Sequence, residues 1–459
     1  MMRRVPYIGL LLAILLPGLA WAQDAARPAF KTHRFDEDWR VLCADPALRT
    51  EPLDRLKCLK LGADVSLTLG GELRERFEAV RNPGFGLQQD HDHVFLHRVL
   101  LHADLRIQNV ARLFLQFGSL TQSGREGAPS STDVDRLDLM QGFVDLMLPL
   151  DDARLTLRGG RQEVSFGASR LVSVRDSPNA RRAFDGGRAF LTAGGFRVDA
   201  IYLRPVLLSP KVFDDETNKT EKLWGVYGTG PVAGPLKADL YYLGFERDRG
   251  RFAAGAAPEH RHTLGVRLFG KAGAFDWDVE GVFQFGSFGN RDIRAWTIAS
   301  DWGVTFESLK LQPRLGLKAD IASGDRNLAD GRLGTFNALY PRLPYFSDAN
   351  LVAPANFFDI HPVLELQLAP TLQAEIGWNA LWRQTTADAI YAPPLSPIAG
   401  TAGQPGRFIG QQVIVGIEWR VIEGVTLAGQ YVHFVPGRAL RRIGGGTTDF
   451  VFVSAAYKF

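Results

Sequence analysis

From Val65 onward, apolar side chains recur at every second position in segment after segment. The clearest sets Phe275, Trp277, Val279, Gly281, Phe283 and Phe285 on one face against Asp276, Asp278, Glu280 and Gln284 on the other. A second opposes Leu372, Ala374, Ile376, Trp378, Ala380 and Trp382 to Gln373, Glu375, Asn379 and Arg383. A third opposes Leu101, Ala103, Leu105 and Ile107 to His102, Asp104, Arg106 and Gln108. A period of two is the signature of strands with one greasy and one wet face. Segments of this kind number eighteen, from 65–77, 93–108 and 110–118 through 408–420, 424–434 and 449–459. The last of them, Val451 to Phe459, ends the chain on an aromatic residue.

Alternation alone suits a soluble sandwich as well as a barrel, and the links separate the two. Short links (149–152, 193–195, 230–235, 271–274, 307–310, 369–370, 421–423) interleave with longer ones (119–137, 164–186, 205–221, 246–260, 323–357, 384–407, 435–448). Tight turns on one rim and long loops on the other fit a transmembrane antiparallel β-barrel with both termini periplasmic. Six tryptophans (Trp277, Trp296, Trp302, Trp378, Trp382, Trp419) fall on the apolar face, as interfacial girdles require.

Residues 1–22 read as a secretory signal: Arg3 and Arg4, an apolar run from Ile8 to Leu16, then Ala20-Trp21-Ala22 before Gln23. Residues 23–64 lack alternation and read as a periplasmic lead-in, leaving 65–459 for the barrel. No stretch approaches the ~18 apolar residues of a spanning helix, so membrane residence requires a closed barrel. The expected location is the outer membrane of a Gram-negative bacterium, among its lipids. The formal charge of +3 falls to +1 once the two signal arginines are removed, which argues against a nucleic-acid partner. Cys43 and Cys58, the only cysteines, are expected to form a disulfide in the oxidising periplasm.

The densest polar run lies between Arg161 and Arg188, within GRQEVSFGASRLVSVRDSPNARRAFDGGR. It holds six arginines (Arg161, Arg170, Arg175, Arg181, Arg182, Arg188) and three acids (Glu163, Asp176, Asp185), a local charge of +3. Guanidinium groups stay charged and grip carboxylates in a two-pronged fashion, and arginine clusters in a pore favour anions. The run reads as a loop folded inward as a constriction, with a solvated surface loop as the competing reading. His91, His93 and His97 share a strand face, yet that parity leads to Val99 and Leu101, so a rim position is expected rather than a metal site. Asp325, Asp330 and Asp348 lack the spacing of a calcium loop. No catalytic constellation, metal set or cofactor motif stands out.

Several stretches together resemble the alginate-export family of outer-membrane proteins. They are EDWRVLCADPALRTEPLDRLKCLKLG (37–62), GGELRERFE (70–78), LHRVLLHADLRI (96–107), GRQEVSFGASRLVSVRDSPNARRAFDG (160–186), DGRLGTFNALYPRLPY (330–345) and the closing strand. The resemblance spans essentially the whole mature chain, and Arg-Asp-x-Pro-Asn-x-Arg-Arg-x-Phe-Asp-Gly is its most specific element. It implies an eighteen-stranded barrel with an arginine-lined lumen that passes anionic uronate polymers. It also implies that Arg161, Arg170, Arg175, Asp176, Asn179, Arg181, Arg182, Asp185 and Arg188 line the lumen or its constriction. The dedicated alginate exporter carries a long periplasmic turn, whereas every periplasmic turn inferred here is short.

The expectation is therefore a non-enzymatic, anion-selective channel that exports an acidic polysaccharide by passive diffusion. It is expected to be monomeric, without cofactor, with room for periplasmic export partners. A porin taking up small anionic or apolar nutrients is the alternative, and an outer-membrane hydrolase a remote one.

Overall fold

A computed structural model describes residues 27–87 and 90–459. Its wall is β1 (Val65–Arg81), β2 (His91–Ile107), β3 (Ala111–Ser123), β4 (Asp135–Leu150), β5 (Ala153–Gln162) and β6 (Phe184–Ala193). Next come β7 (Phe196–Leu207), β8 (Glu221–Ala233), β9 (Leu236–Phe252), β10 (Gly255–Ala272), β11 (Phe275–Phe288) and β12 (Arg291–Thr305). The last six are β13 (Arg314–Ala322), β14 (Phe357–Ala369), β15 (Leu372–Trp382), β16 (Phe408–Ile422), β17 (Val425–Pro436) and β18 (Thr448–Lys458). Each pairs antiparallel with its neighbours, and β18 returns to β1 with Glu72 opposite Lys458 and Arg81 opposite Asp449. The sheet thus closes into the expected eighteen-stranded barrel, and its backbone groups are paired without a free edge, as hydrocarbon demands.

Side chains sort as the pattern predicts. Leu101, Phe283, Ile376, Trp378, Trp419 and Val453 are exposed on the outside. Asp104, Asp145, Asp239, Glu280 and Phe452 are buried on the inside. No helix among the described residues is long and apolar enough to cross a membrane.

The strict alternation of short and long links does not hold. The supposed 246–260 link is mostly strand, because β9 runs to Phe252 and β10 restarts at Gly255. A second tight turn on the same rim joins β11 to β12 at 289–290. The reason is physical: a strand that projects past the bilayer has water or lumen on both faces. Its sequence there (Glu246-Arg247-Asp248-Arg249 in β9) loses the apolar beat and resembles a loop.

The residues before the barrel do not hang free. Phe35 lies inside the wall, edge-on to Phe114 at 5.9 Å and to Phe143 at 5.4 Å. Arg34 donates to the carbonyl of Gly71 at 2.6 Å and to that of Phe459 at 2.8 Å. Cys43 and Cys58 are bonded, with Cα atoms 5.8 Å apart, closing a 15-residue loop whose crosslink contributes about 3 kcal/mol. The signal residues 1–22 lie outside the described residues.

Candidate functional site

The link between β5 and β6, residues 163–183, crosses the interior. Arg170 donates to Asp278 at 2.8 Å and to Glu280 at 2.9 Å, both on β11, six strands around the wall. Val164 and Ala180 are fully buried. Asn179 pins the link to the wall through its amide, which donates to the carbonyls of His97 (3.1 Å), Thr121 (3.1 Å) and Asp133 (2.9 Å). The turn that carries Arg170 depends on Gly167, which has a φ of +53° and where an added Cβ would collide with the Tyr227 hydroxyl.

A second long link, 323–356, meets the first inside the barrel. Tyr340 N donates to Leu171 O at 2.8 Å and Arg342 N to Ser169 O at 2.9 Å, with Val172 and Tyr340 bridged in parallel. The two strips bury Phe166, Val172, Phe336, Tyr340, Tyr345 and Val352 among themselves and the wall. The interior at this level is filled by loop side chains rather than left as an open bore.

The six arginines of the run fall into distinct settings. Arg181 lies against Asp176 (2.7 Å) and Glu72 (3.1 Å), and Arg98 joins the same two acids at 2.9 and 2.6 Å. Arg188 donates to Asp199 at 2.7 Å. Arg161 grips Asp185 at 2.9 and 3.3 Å, on the strand faces opposite the buried Gln162 and Phe184. Arg170 holds its two carboxylates on β11. Only Arg175 and Arg182 have no carboxylate within ion-pair distance among the described residues.

Arg175 and Arg182 belong to one turn, closed by Arg182 N donating to Val174 O at 2.7 Å. Arg175 has a left-handed φ of +56°, a conformation that costs an L-residue roughly 1–2 kcal/mol. The Arg182 guanidinium rests 5.0 Å from the centre of the Tyr340 ring. Its Nη1 and the Nε of Arg175 are buried without a hydrogen-bond partner. Burial, then the charge of Arg175, pushes Arg182 down to about 9, and burial pushes Arg175 down to about 10. Both remain cationic at neutral pH, and each lacks the counter-charge that a buried cation requires. An anion is the species that completes such a pair.

The wall behaves differently. Arg112 lies on Asp104 at 2.6 Å, Arg158 on Asp145 at 2.7 Å, Arg267 on Asp239 at 2.8 Å and Arg314 on Asp301 at 3.1 Å. Sequence reasoning missed Arg342, a loop arginine that also has no carboxylate within 4 Å among the described residues and is pushed down by burial and by Arg170. Its signal was present in the stretch Asp330 to Tyr345, where Tyr340 and Arg342 flank a proline. His91, His93 and His97 do not gather: His91 faces Glu126 at 3.1 Å and His97 pairs with Glu75. Asp348 binds Arg76 at 2.9 Å and Ser177 at 2.7 Å, away from any set with Asp325 and Asp330.

Comparison with known proteins agrees with this architecture. The sequence model of the family described as "Alginate export" matches residues 65–454. Among solved structures, the chain is similar in fold to OccAB1 of Acinetobacter baumannii, with TM-score 0.59, 11% identity, and 86% of this chain and 96% of that one covered. It is likewise similar to OccK8 (OprE) of Pseudomonas aeruginosa, with TM-score 0.57, 11% identity and coverage of 86% and 98%. OccK11 (OpdR) of the same organism gives 0.54, 12%, 86% and 96%. No curated protein matches the chain in sequence.

Proposed function

We infer the function from one premise: this chain belongs to the alginate-export family. It is an outer-membrane β-barrel channel. Beyond that, our reading is an anion-selective conduit that exports an acidic polysaccharide of the polyuronate class by passive diffusion. Arg175 and Arg182 carry this reading, as two adjacent cations of the inward link without carboxylate partners, where the wall residues Arg98, Arg112, Arg158 and Arg267 are each held by an acid. A uronate carboxylate supplies the missing partner at that turn, and the next sugar can displace it because each contact is single. Arg342 offers a further step on the neighbouring strip. The clamped members Arg161, Arg170, Arg181 and Arg188, with Asp176, Asn179 and Asp185, act in this reading as the frame that holds the turn in place.

An even number of strands returns both termini to one rim, and we assign that rim to the periplasm. The lead-in segment then lies where export partners would dock. Uptake of small anions would use the same pair of arginines, and planar-bilayer recording separates the two cargoes. The expected outcome is anion selectivity with lasting block by added polyuronate, both weakened when Arg175 and Arg182 are replaced by Ala. Conductance indifferent to polyuronate, with rapid flux of small anions, would transfer the reading to uptake. Cation selectivity would sink it.

A further inference from the structure

At the rim away from the termini, three carboxylates converge without enough positive charge to balance them. Asp135 and Asp138 open β4, and Asp215 lies within the β7–β8 link, residues 208–220. One oxygen from each lies within 4.8 Å of the others. Oxygens on opposite sides of a bound calcium ion are about 4.6–5.2 Å apart, so the spacing is that of a coordination shell.

The backbone is built to bring them together. Opposite β3, Asp138 faces Gly118 and Asp135 faces Leu120, so β4 spends three steps where β3 spends two. Without this bulge, residues three apart would point to opposite sides of the sheet. With it, both carboxylates share a side, while Arg136 and Leu137 between them are exposed. The β7–β8 link is fastened alongside by Phe213 N donating to Leu137 O at 2.9 Å and Asp215 N donating to Asp138 Oδ2 at 3.0 Å.

The independent observation is Asp135. Its relative exposure is 0%, and neither carboxylate oxygen has a hydrogen-bond partner. A buried carboxylate without a partner costs several kcal/mol in its charged form, a cost removed by a proton or by a bound cation. The nearest cation does not serve. Arg161 lies 3.7 Å from Asp138 and 3.9 Å from Asp215, beyond hydrogen-bond reach, and it is already held by Asp185. One guanidinium therefore stands against four carboxylates.

We propose that Asp135, Asp138 and Asp215 bind a hard divalent cation of the calcium class, which staples the β7–β8 link to the bulged head of β4. Asp138 Oδ1 accepts from Leu139 N at 2.6 Å and Asp215 Oδ1 from Ser209 N at 2.7 Å, which orients both carboxylates. Water completes the ligand shell. The staple adjoins the root of the arginine-bearing link, since Arg161 also reaches Asp215 O at 3.4 Å and Asp185 accepts from Thr217 at 2.6 Å. None of the three acids was legible as a ligand in sequence, because the bulge and the fold back from Asp215 create the set.

The test is calorimetric titration of calcium chloride into the full chain, refolded in detergent free of lipopolysaccharide and stripped with chelator. One saturable equivalent is expected in the native protein, together with slower proteolysis of the 208–220 link. Asp135→Asn and Asp215→Asn, each verified as folded by heat-modifiable mobility, are expected to weaken binding by at least about tenfold. Absence of saturable binding by the folded native chain overturns the proposal, whatever the variants do. Affinity unchanged in both variants overturns it equally.

Discussion

Arg98 and Arg182 both lie inside the barrel, and their surroundings are opposite. Arg98 is almost wholly buried between Glu72 and Asp176, with its donors also satisfied by the carbonyls of Asp176 and Asn179. Arg182 faces an aromatic ring, a neighbouring cation and an unmatched nitrogen. The first arrangement spends its charge on holding the inward link against the wall. The second leaves its charge unspent, which a rigid structure tolerates only where a ligand can collect it. A count of arginines in the lumen therefore overstates what is available for binding.

The sharpest way to break this contrast is at Arg98. Arg98→Ala leaves two buried carboxylates to share Arg181 and is expected to cost about 3 kcal/mol of barrel stability, read from the urea midpoint of heat-modifiable folding. A loss below about 1 kcal/mol would mean that the clamped set is no more structural than the open one. A smaller effect is expected from Asp325, whose carboxyl is pushed up to about 6 by burial, with the neighbouring Asp388 acid raising it further. Its folded pKa exceeds the unfolded value, so its contribution is most favourable at low pH and is lost as pH rises through about 6. Hydrogen exchange in the 323–356 and 383–407 links should accelerate across pH 4 to 6. Asp325→Asn should flatten that slope and stabilise the links at pH 7 by on the order of 1 kcal/mol. The smallest stability change is expected for Arg175→Ala with Arg182→Ala, within about 0.5 kcal/mol of the native chain or slightly stabilising. A large destabilisation there would reassign the pair to the structural frame.

The strands were legible because lipid outside and water inside impose one rule on every crossing. Each of the eighteen wall strands overlaps a segment read from alternation alone. Their ends were not legible where that rule lapses: Glu246 to Arg251 extend a strand beyond the bilayer with polar residues on both faces. The arginine run was visible as density of charge. Its division into clamped and open members was not, because the clamps come from far along the chain. Glu72 is 109 residues from Arg181, and Glu280 is 110 from Arg170. Local sequence placed Asp176 beside Arg175, yet Asp176 turns to Arg98 and Arg181 instead.

The contact of Arg34 with the Gly71 and Phe459 carbonyls has a consequence for assembly. These two acceptors sit in the first strand and just past the end of the final one, so they stand side by side only once the seam has shut. The leading segment can pack Phe35 on β3 and β4 beforehand, but this bridge across the seam forms only when the circle is complete. A chain lacking Phe459 would keep every earlier strand and lose the one acceptor that ties that guanidinium to the end of the final strand, while Glu37 and Gly71 stay in reach.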